Sequence, residues 1–208
     1  PSRFTLEKHR AEGIDRPAEV LPHFVPDAPA RNEPPERPVF LYAGRLENPK
    51  GVDALLSAAE SGVDADFRFA GDGPSRREIE ERSRRATNVR VLGPLGPDRV
   101  GEEMARATAV VVPSRCLETF GLSAAEAMMR GVPVVARRRG ALTEIVEETG
   151  GGLLFDEDLE LVSLLRRLAA DPGLVRELGR RGRAGAMARW REVDHVDRYL
   201  SMVRSRLS

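Results

Sequence analysis

Between Val39 and Phe155 short apolar runs alternate with stretches of helical period, and no other property of this chain restricts its fold as much. The runs at 39–43, 67–70, 89–92, 109–112, 132–136 and 152–155 read as strands. Segments 51–60, the stretch from Pro74, 97–107, the stretch carrying Glu126, and 142–148 read as helices. In 51–60 the apolar positions Val52, Leu55, Leu56 and Ala59 recur at helical spacing, and Pro74 suits a first helical turn. Strands separated by helices of about ten residues form βαβ units, whose right-handed crossovers give a parallel sheet with helices on both faces. The expected fold class is α/β, a doubly wound, Rossmann-like parallel sheet. Helices alone should follow, at 159–169, 174–188 and 193–207, with Asp171-Pro172 dividing the first two and Trp190 starting the third. Ligands of such sheets bind outside the carboxyl ends of the strands, so function is sought in the loops found there.

The chain ahead of Val39 has a different character. Residues 2–12 read as a helix closed by Gly13, and 19–21 as a strand. Six prolines, at 22, 26, 29, 34, 35 and 38, then remove donors and hold the chain extended as a linker. The domain expectation is therefore 1–38 as the end of an upstream domain with a Pro-rich linker, and 39–208 as a binding domain with C-terminal helices. With Pro1 in place of methionine, the chain is expected to be a fragment or a processed piece.

Charge and cysteine content remove several function classes. Basic and acidic residues number 33 each and cancel, so no overall field favours nucleic acid. Cys116 is the only cysteine, which excludes an internal disulfide, makes a structural zinc site improbable and leaves packing as its expected role. Without an apolar run of the ~20 residues that span a bilayer, a cytoplasmic location is the default, with peripheral membrane contact of a longer protein left open.

The richest loop is PSRCLETFGLSAAEAMMRGVP, from Pro113 to Pro133. Glu118 stands in the turn before the helix and Glu126 inside it, eight residues on. A helical rise of about 1.5 Å per residue sets them roughly 10–12 Å apart, too far for a glycosidase carboxylate pair but suited to two ends of one elongated ligand. Between them, Phe120-Gly121-Leu122 combines a permissive glycine with the unpaired N–H groups of a helix start, where an anion can dock. These parts together suit a nucleotide-diphosphate sugar. After the first strand, Gly44-Arg45-Leu46-Glu47-Asn48-Pro49-Lys50-Gly51 brings two cations, Arg45 and Lys50, that can neutralise a diphosphate without a metal. The loop is neither GxGxxG nor GxxxxGK[ST], against a dinucleotide dehydrogenase or a nucleoside triphosphatase. Gly71-Asp72-Gly73-Pro74 lets the backbone approach a ligand, with Asp72 expected to cap the next helix. Gly93-Pro94-Leu95-Gly96-Pro97 either flanks a planar base or is a plain turn. Of Arg137-Arg138-Arg139, at most one is expected to touch ligand.

These residues resemble the C-terminal, donor-binding domain of the retaining glycosyltransferases of family 4, which have the two-domain GT-B fold. The resemblance rests on Gly44-Arg45-Leu46 with Lys50-Gly51, Gly71-Asp72-Gly73-Pro74, Leu92-Gly93, Pro113-Ser114, the Glu118 to Glu126 pair in ETFGLSAAEAM, Gly131-Val132-Pro133-Val134-Val135 and Thr149-Gly150. It implies that Arg45 and Lys50 hold the diphosphate, that Glu118 contacts sugar hydroxyls, and that Glu126 holds the ribose. Backbone N–H groups of Phe120, Gly121 and Leu122 would support the sugar and distal phosphate, and Thr119 would also belong to the donor-binding set. Gly44, Gly71 and Gly73 would shape the donor site and Leu95 would flank the base. The implied activity is retaining transfer of a hexosyl group to an acceptor, with a nucleotide-diphosphate sugar as substrate and no metal or other cofactor. The missing N-terminal domain would hold the acceptor, so the fragment is expected to be inactive alone and, with its apolar surface exposed, to self-associate. One departure stands out: the family often has Gly-Gly before the helix bearing Glu144, where this chain has Gly140-Ala141. A non-catalytic nucleotide-sugar-binding module, or another GT-B enzyme such as an epimerase or phosphorylase, remains the alternative.

Overall fold

The structure is a computed structural model and describes residues 1–31 and 33–207. Six strands, β1 (Val39–Ala43), β2 (Asp66–Ala70), β3 (Val89–Gly93), β4 (Ala109–Val112), β5 (Val134–Arg137) and β6 (Gly152–Phe155), form one parallel sheet in the order β3-β2-β1-β4-β5-β6. The order reverses between β1 and β4, so the chain leaves these neighbouring strands toward opposite faces and a crevice opens at their carboxyl ends.

The strands read as near-continuous apolar runs because both faces are covered. Successive residues point to opposite sides: Phe40, Phe67, Phe69, Val111 and Val135 join one core, and Leu41, Val110 and Val134 the other. On the first face lie α2 (Val52–Glu60), α3 (Arg76–Ser83) and α7 (Asp158–Ala170), represented by Leu55, Leu56, Ile79, Leu161 and Leu165. Leu55 and Leu56 are fully buried, and each contributes about 1.5–3 kcal/mol through that burial. On the second face lie α4 (Pro97–Ala105), α5 (Leu122–Met129) and α6 (Ala141–Thr149), through Met104, Met128, Met129, Leu142 and Ile145. The long α8 (Pro172–Arg189) reaches both cores, with Val175 and Leu178 in one and Ala186 in the other. Helix α1 (Arg3–Ala11) packs on α6, and α9 (Glu192–Leu207) ends the chain. Among the described residues no helix is long and apolar enough to cross a membrane.

Four local expectations are corrected. Residues 19–21 form no strand: no neighbouring strand supplies a ladder, and Val20 and Pro22 instead line a hollow with Phe120 and Trp190. Trp190 ends α8 and does not begin α9; its N–H donates to the Ala186 carbonyl at 2.8 Å while its ring is buried in the second core. Strand β5 starts at Val134, beyond Pro133, which has no N–H for a ladder. Asp72 caps no helix, since α3 begins at Arg76 after a turn, and the carboxylate instead accepts from the N–H of Gly73 at 2.8 Å.

Candidate functional site

The crevice is walled by the loops after β1 and β4, and backbone contact locks the two together. Gly51 has φ +71, and a Cβ there would run into the carbonyl of Pro113. Close by, the Arg115 N–H donates to the Pro49 carbonyl at 2.9 Å, and its guanidinium forks onto Asp53 at 2.6 and 3.0 Å. This interlock brings Lys50, the last residue of a single 3-10 turn, to 2.7 Å from an oxygen of Glu118. Both side chains are largely screened from water, at 29% and 19% exposure. The pair is therefore less screened than a surface ion pair, and removing either partner leaves the other without compensation. Arg45 is much more open and pairs with Glu47 at 2.8 Å. Its carbonyl accepts from the Tyr42 hydroxyl at 2.6 Å, and burial, with the charges of Glu118 and Glu47, raises the Tyr42 pKa so that the phenol stays a donor.

Glu118 is fixed from behind. Ala141 N–H donates to the Glu118 carbonyl at 3.0 Å, and a Cβ at Gly140 would come within 2.9 Å of that oxygen. The departure at Ala141 thus leaves the loop able to hold Glu118, with the extra methyl fully buried. The next carbonyl, that of Thr119, accepts from the Ser2 and Thr5 hydroxyls at 2.8 and 3.2 Å, which pins the start of α1 to the site. Phe120 is held edge-on between His23 and Trp190, with ring centroids at 5.3 and 5.7 Å. Gly121, at φ +97, is the N-cap of α5, where a Cβ would lie 2.7 Å from a methyl of Leu142. The N–H groups of Phe120, Gly121 and Leu122 meet no acceptor among the described residues, so the start of α5 offers unpaired donors beside Lys50.

Only the last part of the Glu118 to Glu126 interval is helical, because α5 starts at Leu122. A separation reckoned from eight helical rises therefore does not apply; the four rises from Leu122 to Glu126 account for about 6 Å of axis. Both carboxylates nonetheless line one cleft of about 470 Å³, together with Gly44, Arg45, Lys50 and Thr119 to Leu122. Glu126 also borders an adjoining compartment of about 330 Å³, walled by Gly71, Asp72, Pro94 and Leu95. Ala43, Gly44, Arg45, Ser123 and Glu126 are common to both, so the two spaces form one elongated groove. Burial raises the pKa of Glu126, with Arg130 opposing in part, and its carboxylate accepts no hydrogen bond from the described residues.

Gly73 does not border the groove. Its conformation serves the loop itself, since a Cβ there would meet the Leu46 carbonyl, as one at Gly71 would meet the Gly44 carbonyl. None of Arg137, Arg138 and Arg139 lines either compartment. Arg137 bonds Asp158 and the Asp156 carbonyl and lies 4.8 Å from the Phe155 ring, while Arg138 pairs with Glu147 and Asp156. Sequence reasoning missed His23, Tyr42, Ser114 and Ser123, which also line the cleft. Tyr42 was findable as a residue at the carboxyl end of a strand and Ser123 as one in the first turn of α5. Nothing local marked His23.

Residues 26–185 match the family model described as glycosyl transferases group 1. The chain is 35% identical over 190 residues to D-inositol 3-phosphate glycosyltransferase 1 of Catenulispora acidiphila, covering 80% of this chain and 44% of that protein. Its fold superposes on TarM of S. aureus with a TM-score of 0.85 at 18% identity, over 96% of this chain and 42% of that one. It superposes on HepE of Anabaena, solved in complex with UDP, with a TM-score of 0.74 at 25% identity, over 82% of this chain and 49% of that one. The Rossmann-like layer is thus of the kind from which GT-B glycosyltransferases are built, and the chain belongs to the group 1 glycosyltransferase family. It spans less than half the length of curated relatives such as the Catenulispora enzyme.

Proposed function

We propose that this chain is the donor-binding half of a retaining glycosyltransferase of family 4, and that its groove takes a nucleotide-diphosphate sugar. The observation that carries the reading is the continuity of the groove: two cations from the loop after β1 face an unpaired helix start and two carboxylates from the segment after β4 along one continuous space. In this reading residues 1–38 end an N-terminal domain and connect it to the donor domain at 39–208. The group 1 match and the UDP held by HepE support a nucleotide donor.

The roles follow from position. The nucleoside lies in the compartment of Leu95 and Gly71, with its ribose on Glu126, whose carboxylate is otherwise without a hydrogen bond. The diphosphate lies between Arg45, Lys50 and the start of α5, and the sugar meets Glu118 and Thr119. Donor binding then recruits Lys50 from its pair with Glu118, leaving the carboxylate free to accept from sugar hydroxyls. During transfer the bond from the anomeric carbon to the phosphate oxygen breaks, the nucleoside diphosphate departs with the electron pair, and the acceptor hydroxyl oxygen bonds to the same face as its proton passes to the departing phosphate oxygen. Arg45, Lys50 and the N–H groups of Phe120, Gly121 and Leu122 act where negative charge grows on the leaving group, which is where preorganised donors lower a barrier most. The acceptor and the other wall of the active site belong to the N-terminal domain, so this chain by itself turns nothing over.

Calorimetric titration with UDP, GDP and ADP and their sugar conjugates tests the reading. Saturable binding of one nucleotide, weakened by both Lys50→Ala and Glu126→Ala, is the expected result; binding that neither change affects would overturn the assignment of the groove.

A further inference from the structure

The connector does more than join. Between Pro22 and Val25 it is stitched to the end of the fold at three points: His195 Nδ1 donates to the Pro22 carbonyl at 2.8 Å, the Phe24 and His195 rings stand 5.1 Å apart, and the Val25 N–H donates to the Trp190 carbonyl at 2.9 Å. Val25 is buried in the second core beside Trp190. The segment is thereby fixed on both sides of His23, whose ring stands edge-on to Phe120 and borders the cleft with Lys50, Glu118 and Thr119.

His23 is also the one histidine whose ring is uncommitted. His9 Nδ1 bonds the Thr5 carbonyl and His195 Nδ1 the Pro22 carbonyl, whereas the His23 nitrogens have no hydrogen-bond partner among the described residues. A neutral imidazole offers one donor and one acceptor, the complement of a hydroxyl, which can both accept and donate. His23 borders only the compartment with Lys50 and Glu118, and not the one with Leu95 and Asp72. A ligand whose nucleoside fills the Leu95 end therefore presents its sugar to the His23 end.

We infer that His23 is a further sugar-recognition residue, which hydrogen-bonds a hydroxyl of the transferred sugar from the connector side of the cleft. The inference rests on the donor-site reading and adds a contact from outside the sheet loops. It makes sugar selection depend on the connector, and on Phe120 and Trp190 behind it.

The test compares a nucleoside diphosphate with its sugar conjugate. The 208-residue chain and its His23→Ala and His23→Asn variants are titrated with UDP, GDP and ADP, and with UDP-glucose, GDP-mannose and ADP-glucose. His23 is exposed, and circular dichroism with a thermal melt confirms that each variant stays folded. Loss of one neutral hydrogen bond should weaken the conjugate about three- to tenfold in His23→Ala and leave the free diphosphate within about twofold. His23→Asn, which keeps a donor and an acceptor, should recover part of the loss. An equal fall for diphosphate and conjugate would make His23 a phosphate contact and overturn the inference. Unchanged affinity for both would overturn it as well. Failure of the unmodified chain to bind any nucleotide would overturn the donor-site reading itself, and the inference with it.

Discussion

The loops after β1 and β5 flank β4 on its two sides, and both carry cations, yet their fates differ. Lys50 meets Glu118 at the wall of a cleft, whereas Arg137 and Arg138 are engaged by Asp156, Asp158 and Glu147 and line neither compartment of the groove. Their composition does not explain the difference, since the second loop is the more basic. The helices do. The one after β1 packs on one face of the sheet and the one after β4 on the other, so their first turns diverge and leave a gap. The helices after β4 and β5 share a face, and the loops between them close on one another through Gly140 and Glu118. A charged loop in such a fold gains a ligand-facing role from the switch point of the sheet, and elsewhere its charges turn to local partners.

Substitutions can break or sharpen this contrast. The largest effect is expected from Gly51→Ala, which needs a left-handed conformation and puts a methyl into the Pro113 carbonyl. It should cost about 3–4 kcal/mol and abolish nucleotide binding, as read by urea denaturation and titration. Lys50→Ala comes next: loss of a charge-assisted contact should reduce nucleoside diphosphate affinity about 30-fold, or roughly 2 kcal/mol. A Lys50→Ala protein that binds as tightly as the parent would remove the lysine from the site. Arg137→Ala is the mirror case, expected to lower stability by about 1–2 kcal/mol through lost contacts to Asp158 and the Phe155 ring, with nucleotide affinity unchanged. Weakened binding in that variant would show that the β5 loop also serves the ligand.

The smallest effect concerns pH. Burial raises the folded-state pKa of Glu126 above its unfolded value, so the stability it contributes is fully present below the unfolded value and is lost as pH rises through the folded one. Glu126→Gln should therefore melt slightly above the parent at pH 7, and the gain should vanish as the pH drops below the ordinary glutamate pKa of about 4.3. A difference in melting temperature that does not change with pH would show that desolvation of the charge is not its cause.

Much of this was open to reading in advance. The six strands and the helices between them follow from apolar period; the loop residues Arg45, Lys50 and Glu118 lie beyond carboxyl ends of strands that can be found without coordinates, and Glu126 lies in the helix that follows Glu118. The misreadings share a cause. Val20 and Leu21 have strand-like side chains but no neighbouring strand, and Asp72 has a capping side chain but a turn intervenes before α3. In each case a local preference yielded to something elsewhere in the molecule.

The sequence by itself determined the layered α/β architecture and the set of loops that could hold a ligand, because strand and helix periods and the handedness of crossovers are properties of nearby residues. Only the tertiary structure decided which of those residues meet. Lys50 and Glu118 are separated by 68 positions and come together because Gly51 lets one loop press on the other. His23 reaches the cleft because Trp190 and His195, from the far end of the chain, hold its neighbours in place. Such pairings depend on where whole helices pack, and the packing is set by two cores assembled from residues spread between Val25 and Trp190.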